Sequence, residues 1–201
     1  MPNDPSRRRF LSGLVAGAGL TLLPLPAMAL TESRARVLVD SLVGEINRVI
    51  ASGKSETAMY AEFERIFVRY ADVPTIAMYA LGVDGRRATE AQKRAFIDVF
   101  RSYISRKYGA RFREFIGGRL EVEGVQPVKS YYQVRTTAYL RGEAPFFVDF
   151  LVSDRSGKDL FFNMYIEGVN MLLSEREEIG AMLDRRGGNL DRLIADLRTA
   201  G

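Results

Sequence analysis

The chain has 201 residues and a formal net charge of +4, and it contains no cysteine, histidine or tryptophan. Without cysteine it cannot form a disulfide, a cysteine-ligated metal centre or a thiol nucleophile. Without histidine it lacks the commonest metal ligand and the commonest general base near neutral pH. The composition therefore argues against zinc-dependent hydrolysis and Ser-His-Asp catalysis. The apolar content of 47% and the length fit one globular domain.

The N-terminal residues have the pattern of a cleavable export signal. Three arginines at 7–9 precede an apolar run over 14–23, which is shorter than the roughly 20 residues that span a bilayer. A small-x-small cleavage site follows at 27–29. The arginines resemble a twin-arginine signal, with a general secretory signal as the alternative. We therefore predict a signal over 1–29 and one mature domain over 30–201.

Cleavage after Ala29 removes three arginines and one aspartate, which takes the formal net charge from +4 to +2. This charge is too small to argue for a nucleic-acid partner. Because there is no cysteine for lipid attachment, we expect a mature protein that is soluble after export.

The first half of the mature chain has apolar residues at helical spacing. A capping box at Thr89-Glu90-Ala91-Gln92 opens the longest helix, whose apolar stripe includes Phe96, Phe100 and Tyr103. The predicted helices run from Thr31 to about Ser52, from Ser55 to about Tyr70, over a short stretch after Asp72 and Pro74, and from Thr89 to Gly117.

The second half changes to a period of two, which is typical of strands. The pattern predicts strands near 120–123, 129–140, 146–153 and 160–166. Their short connections require antiparallel pairing, so we expect a meander of about four strands. A second capping box at Ser174-Glu175-Arg176-Glu177 and a cap at Asn189 predict two short C-terminal helices. The predicted fold class is α+β, with N-terminal helices packed on a curved antiparallel sheet.

The last two predicted strands are apolar on both faces, apart from Asp149 and Asn163. An antiparallel sheet usually exposes one face to water, so we expect both faces of this one to be covered. The long aromatic helix is the candidate for one face. The other face either packs on the terminal helices or meets an apolar ligand or a partner. A sheet curled around a helix can hold a hydrophobic ligand in an apolar pocket.

Asp149 allows a structural interpretation and a catalytic one. A buried carboxylate must be paired, hydrogen-bonded or protonated, and Arg135 on the neighbouring strand is a possible partner. Alternatively, an Asp base with a nearby Tyr donor could enolise a ketone, as in ketosteroid isomerase. The second interpretation would make the chain a small enzyme.

The order of these motifs resembles the MlaC family, the toluene-tolerance-type components of lipid ABC transport systems. The resemblance rests on Leu81-Gly82, on residues 87–92 with Phe96 and Phe100, on Val148-Asp149-Phe150 and on Ile166-Glu167-Gly168-Val169. It covers residues 32–198.

The resemblance implies a soluble periplasmic carrier, without catalytic residues, metal or cofactor, that holds a phospholipid by its acyl chains. It also implies two partners, an inner-membrane ABC transporter complex with an MCE-domain subunit and an outer-membrane lipoprotein complex. Asp159, Asn163 and Asn170 depart from the family pattern, which leaves a non-phospholipid cargo such as a hopanoid as an alternative. The candidate lipid-binding residues are Phe96, Phe100, Tyr103, Tyr132, Val134, Phe147, Phe150, Met164, Ile166, Val169, Leu172 and Leu173.

Overall fold

The computed structural model describes residues 29–109 and 115–200. The predicted export signal lies outside the described residues, apart from Ala29. The helices are α1 (Glu32–Ile50), α2 (Glu56–Tyr70), α3 (Val73–Leu81), α4 (Glu90–Gly109), α5 (Met171–Arg185) and α6 (Leu190–Leu197). The strands are β1 (Arg119–Val128), β2 (Tyr131–Tyr139), β3 (Phe146–Ser153), β4 (Leu160–Ile166) and β5 (Val169–Asn170). Within these described ranges, every helix is too short or too polar to cross a membrane.

The strands form one antiparallel sheet in the order in which they occur along the chain. This confirms the predicted α+β meander, with five strands in place of about four. The additional strand, β5, follows β4 through a tight turn at Glu167 and Gly168, both of which have positive φ angles. A strand of two residues is too short to show an alternating pattern, so the sequence does not reveal it.

The sheet is covered on one face by α1, which packs against β1, β2 and β3. We call this the inner face. The long helix α4 packs mainly against α2, α3 and α6, and its C-terminal half faces the sheet across a cavity instead of packing on it directly. Helical periodicity identifies the apolar side of a helix, but it does not identify the element that this side meets.

Some of the helix ends predicted from the sequence are confirmed, and others are wrong. The N-terminal cap of α4 is confirmed, since Thr89 Oγ1 accepts from the Gln92 N–H at 3.2 Å and the Gln92 side chain accepts from the Thr89 N–H. The predicted cap at Ser174 is wrong, because α5 begins three residues earlier and is capped by Asn170. The predicted extension of this helix to Gly117 is also wrong, because residues 115–117 form a turn.

A buried carboxylate ties α1 to α2. Glu45 accepts a hydrogen bond from the Tyr70 hydroxyl at 3.0 Å and forms ion pairs with Arg65 and Arg69. Burial by itself would raise the pKa of Glu45, but the hydrogen bonds from Tyr70 and Arg69 outweigh it and hold the pKa below its ordinary value. The ionised carboxylate therefore stabilises the packing of α2 on α1.

Candidate functional site

An apolar cavity of about 260 Å³ lies between the inner face of the sheet and helices α1, α2 and α4. Nearly all of its wall is aliphatic or aromatic. Its lining residues are Leu42, Ile46, Phe63, Ile66, Phe67, Ile104, Ser105, Tyr108, Gly109, Phe115, Leu120, Leu140, Glu143, Phe146, Val148, Phe150, Phe161, Met164 and Ile166.

The strand register explains the sheet wall of the cavity. Phe150 pairs with Met164, and Val148 pairs with Ile166, so these four side chains share one face of β3 and β4. The Phe161 ring packs edge-on against Phe150, with 5.5 Å between ring centroids. This face is therefore a continuous apolar surface where it meets the cavity.

Helix α2 supplies the opposite wall. Phe63, Ile66 and Phe67 lie three and four positions apart, and this spacing places them on one side of the helix. The Phe67 ring contacts that of Phe161, with centroids 6.3 Å apart, and this contact links the helix wall to the sheet wall. Two layers of aromatic rings thus bound the cavity.

The C-terminal half of α4 contributes small and polar residues to the wall. The Ser105 hydroxyl donates to the Arg101 carbonyl at 2.9 Å, which satisfies it within the helix. Gly109 is required by close packing, because a Cβ atom there would lie 2.6 Å from the Tyr60 ring. Ser105 therefore leaves cavity space that a larger side chain would fill, whereas at Gly109 the Tyr60 ring already occupies the space that a side chain would need.

The cavity reaches the surface beside the connection between β2 and β3. Leu140 and the exposed residue Glu143 line it there. Nearby, Phe115 and Phe146 pack edge to face, with ring centroids 6.4 Å apart. The apolar interior therefore ends at a mouth where a polar group can remain in water.

Three of the predicted lipid-binding residues, Phe150, Met164 and Ile166, line this cavity. The others lie outside its lining. Phe96, Phe100, Tyr103 and Val134 are buried in the core, Tyr132 is half-buried, and Leu172 lines a separate small cavity. Phe147, Val169 and Leu173 are 50%, 54% and 44% exposed.

The sequence signals for the remaining wall residues differ in strength. The apolar side of α2 is visible as helical periodicity, although the periodicity does not reveal that this side faces a cavity. Ser105 and Gly109 carry no such signal, because their role depends on what α4 meets in three dimensions. A sequence search for large apolar residues overlooks such positions.

Asp149 lies on the outer face of the sheet, away from the cavity. It pairs with Arg135 across β2 and β3, and two hydrogen bonds of 2.8 and 3.0 Å join the carboxylate to the guanidinium. The same guanidinium lies over the Phe147 ring, 4.9 Å from its centroid. The outer face is exposed at Phe147 but buried at the paired residues Leu151 and Asn163, so the expectation that both faces are covered holds in part. Its position excludes Asp149 as a catalytic base within the cavity.

A polar cluster joins α4 to α5 behind the cavity. Lys107 Nζ lies 2.7 Å from Glu175 Oε1 and 2.5 Å from Glu178 Oε2. The Tyr103 hydroxyl donates to Glu178 at 2.6 Å, and the Tyr108 hydroxyl donates to Glu175 at 2.5 Å. Glu178 thus links α5 to α4 although its side chain is 46% exposed.

The cluster stabilises defined ionisation states. Burial and the neighbouring carboxylates raise the pKa of both Tyr103 and Tyr108. Burial alone would lower the pKa of Lys107, but its bonds to the two carboxylates outweigh this and raise it. For Glu178, burial acts to raise the pKa, and the hydrogen bonds from Lys107 and Tyr103 lower it overall. The lysine thus stays charged and the tyrosines stay neutral at ordinary pH.

The fold and the cavity define a small α+β domain with an apolar binding cavity. The profile of the family described as MlaC protein matches residues 39–199, and the chain belongs to this family. A similar fold occurs in a solved structure of the phospholipid-binding protein from Ralstonia solanacearum in complex with a phospholipid. That structure has a TM-score of 0.68 and 20% sequence identity, and the match covers 81% of this chain and 98% of the other.

Proposed function

We propose that this protein is a periplasmic carrier that binds phospholipid by its acyl chains in the apolar cavity. The observation that carries the proposal is that cavity, enclosed by aromatic and aliphatic side chains in a chain of the MlaC family. The phospholipid complex of the Ralstonia solanacearum protein, which shares the fold, supports it. The lipid would be held by apolar contacts, which require no catalytic group.

The size of the cavity sets how much lipid it encloses. An apolar cavity of roughly 150 Å³ takes up one benzene ring, so the 260 Å³ found here has room, in proportion, for about ten carbons. At about 0.8 kcal/mol per buried methylene, these contribute about 8 kcal/mol of gross transfer energy. The same transfer energy holds the chain in a bilayer. We therefore expect the cavity to compete with a membrane for part of an acyl chain, and to widen when it takes up a whole lipid.

In this proposal the protein is exported, loses its signal near Ala29 and exchanges lipid between two membrane complexes. One is an inner-membrane ABC transporter with an MCE-domain subunit, and the other is an outer-membrane lipoprotein complex. The mouth beside Glu143 would leave the lipid headgroup in water. The proposed binding site consists of the cavity-lining residues, which include Phe150, Met164 and Ile166 from the candidates predicted by the sequence.

The first test is mass spectrometry of an organic extract from the mature protein, residues 30–201, purified after export in a bacterial host. We expect a phospholipid in near-stoichiometric amount. A folded protein whose extract contains no lipid, and which also takes up none from phospholipid vesicles, would contradict the proposal. A co-purified polycyclic lipid without phosphate would instead favour the hopanoid alternative.

A further inference from the structure

A polar cavity of about 240 Å³ lies between the first turn of α3 and the connection from β3 to β4. Its wall combines one carboxylate, one guanidinium, several hydroxyl groups and two aromatic rings. It shares no lining residue with the main cavity, and it opens to the surface at the exposed residues Arg155 and Ser156. A ligand could therefore occupy it whether or not the protein holds lipid.

Asp72 supplies a carboxylate oxygen to this polar cavity. The residue is only 8% exposed and caps the N-terminus of α3, where its Oδ1 accepts from the Thr75 N–H at 3.2 Å. Its Oδ2 makes no hydrogen bond with the described residues, but it is not sealed in the interior and keeps accessible surface. The helix cap thus uses one oxygen of the carboxylate and leaves the other available to a donor in the cavity.

Arg155 supplies the opposite charge. One guanidinium nitrogen donates to the Ser130 hydroxyl at 2.6 Å, and the backbone N–H donates to the Ser153 hydroxyl at 3.2 Å. The other guanidinium N–H groups make no hydrogen bond with the part of the chain that the structure describes. Although Asp72 and Arg155 line the same cavity, these two described residues form no ion pair with each other. The cavity therefore separates two unlike charges.

The rest of the wall offers apolar contact. Tyr131 and Phe162 pack edge to face, with ring centroids 5.5 Å apart, and Leu160 lies in the same wall. If roughly 150 Å³ takes up a six-carbon ring, this cavity has room, in proportion, for about ten non-hydrogen atoms. An amino acid such as leucine has this size.

We infer that the polar cavity binds a free amino acid with an apolar side chain. Its ammonium group donates to Asp72 Oδ2, its carboxylate accepts from the Arg155 guanidinium, and its side chain contacts the Tyr131 and Phe162 rings. A ligand with a single charge would pair with one of the two charged residues and face the like charge of the other. A neutral polyol would form only hydrogen bonds without a charge on the ligand, so a molecule with both charges fits best.

The test uses three ligands that share one branched carbon skeleton. L-Leucine carries both charges, 3-methylbutylamine lacks the carboxylate, and 4-methylpentanoate lacks the ammonium group. Each is titrated into the mature protein, and the heat of binding is measured by calorimetry. We expect saturable binding of L-leucine, about tenfold tighter than that of either other ligand, the effect of one hydrogen bond between charged groups.

Two variants assign the contacts to residues. Asp72→Asn preserves the helix cap, because asparagine caps as well as aspartate, and it removes only the charge. It should weaken L-leucine about tenfold and leave 4-methylpentanoate no weaker. Arg155→Gln should weaken L-leucine to a similar extent and leave 3-methylbutylamine no weaker. Lys158→Gln is the matched control, because it removes the same charge from the same turn at an exposed residue outside the lining. We expect it to bind L-leucine as the wild type does.

Several results would overturn the inference. One is the absence of saturable L-leucine binding up to about 10 mM, and another is equal binding of all three ligands. Wild-type affinity in both Asp72→Asn and Arg155→Gln would remove the assignment to this cavity, as would an equal loss in Lys158→Gln and Arg155→Gln. Arg155 is exposed, so its variant keeps the test decisive even if Asp72→Asn does not fold. Lipid binding is measured separately, because the carrier function depends on the other cavity.

Discussion

Filling the main cavity should weaken lipid binding without weakening the fold. Ser105 lines the cavity and is buried, so Ser105→Phe would place a six-carbon ring in a space with room for about ten carbons. The ring displaces about six methylenes of lipid, worth up to about 5 kcal/mol. Because part of the chain can shift toward the mouth, we expect a smaller loss, at least about 100-fold in affinity.

The same substitution should leave the stability of the lipid-free protein nearly unchanged. Occupying about 150 Å³ of empty apolar space recovers up to about 3–4 kcal/mol. The lost hydrogen bond to the Arg101 carbonyl costs about 1 kcal/mol. Packing strain costs about 1–3 kcal/mol more. The gain and the costs nearly cancel, so the melting temperature of the lipid-free variant should lie close to that of the wild type.

Two assays check this prediction. Mass spectrometry gives the amount of co-purified lipid per protein, and displacement of a fluorescent phospholipid gives the affinity. Val169→Phe is the control, because it adds a ring at an exposed position outside the lining and should retain lipid as the wild type does. A folded Ser105→Phe protein with wild-type lipid content and affinity would refute the placement of the acyl chain in this cavity.

Three further predictions concern the sheet and the helices. Asp149→Asn should keep full lipid retention at a stability cost of no more than about 1 kcal/mol, since the residue lies on the outer face; loss of lipid in a folded variant would contradict this. Glu45→Gln should lower the urea midpoint at pH 7. It should also flatten the decline of stability below pH 4.5, because a lowered pKa in the folded state makes the ionised carboxylate stabilising above that pH and its contribution is lost as the pH falls. If the stability of Glu45→Gln falls below pH 4.5 as steeply as that of the wild type, the lowered pKa of Glu45 does not contribute to the acid dependence of stability. Gly118→Ala should destabilise by about 1–3 kcal/mol, since its Cβ would lie 2.4 Å from the Tyr139 carbonyl oxygen. Gly124→Ala, whose Cβ meets nothing within 4 Å, should be nearly neutral in the same denaturation assay, and equal effects at the two glycines would show that the clash is relieved.

Local sequence patterns predicted most elements of the fold. The predicted strands at 146–153 and 160–166 have the bounds of β3 and β4, because apolar runs between polar, glycine-containing turns define strands without reference to the rest of the chain. The caps at Thr89 and Asn189 are likewise local, since each involves a side chain and a backbone N–H three residues away. The paired residues Arg135 and Asp149 fall on adjacent strands, so their contact could also be anticipated.

The candidate site was less accessible to sequence reasoning. The stripe of Phe96, Phe100 and Tyr103 is buried as its spacing indicates, but it lies outside the cavity lining, which α4 reaches only through residues of its C-terminal half. The wall from α2 was visible only as one more apolar helix side. Ser105 and Gly109 line the cavity, and the sequence alone does not show what they face.

The sequence by itself thus determined the class of fold, the order of its strands and the apolar character of its interior. These follow from interactions between residues close in the chain and from the alternation of apolar positions. The tertiary structure decided which apolar surfaces meet and where they leave a cavity. It also brought Glu175 on α5 together with Lys107 and Tyr108 on α4, which lie more than 60 residues away in sequence. Such contacts depend on the packing of whole elements, and the periodicity of a single element does not specify them.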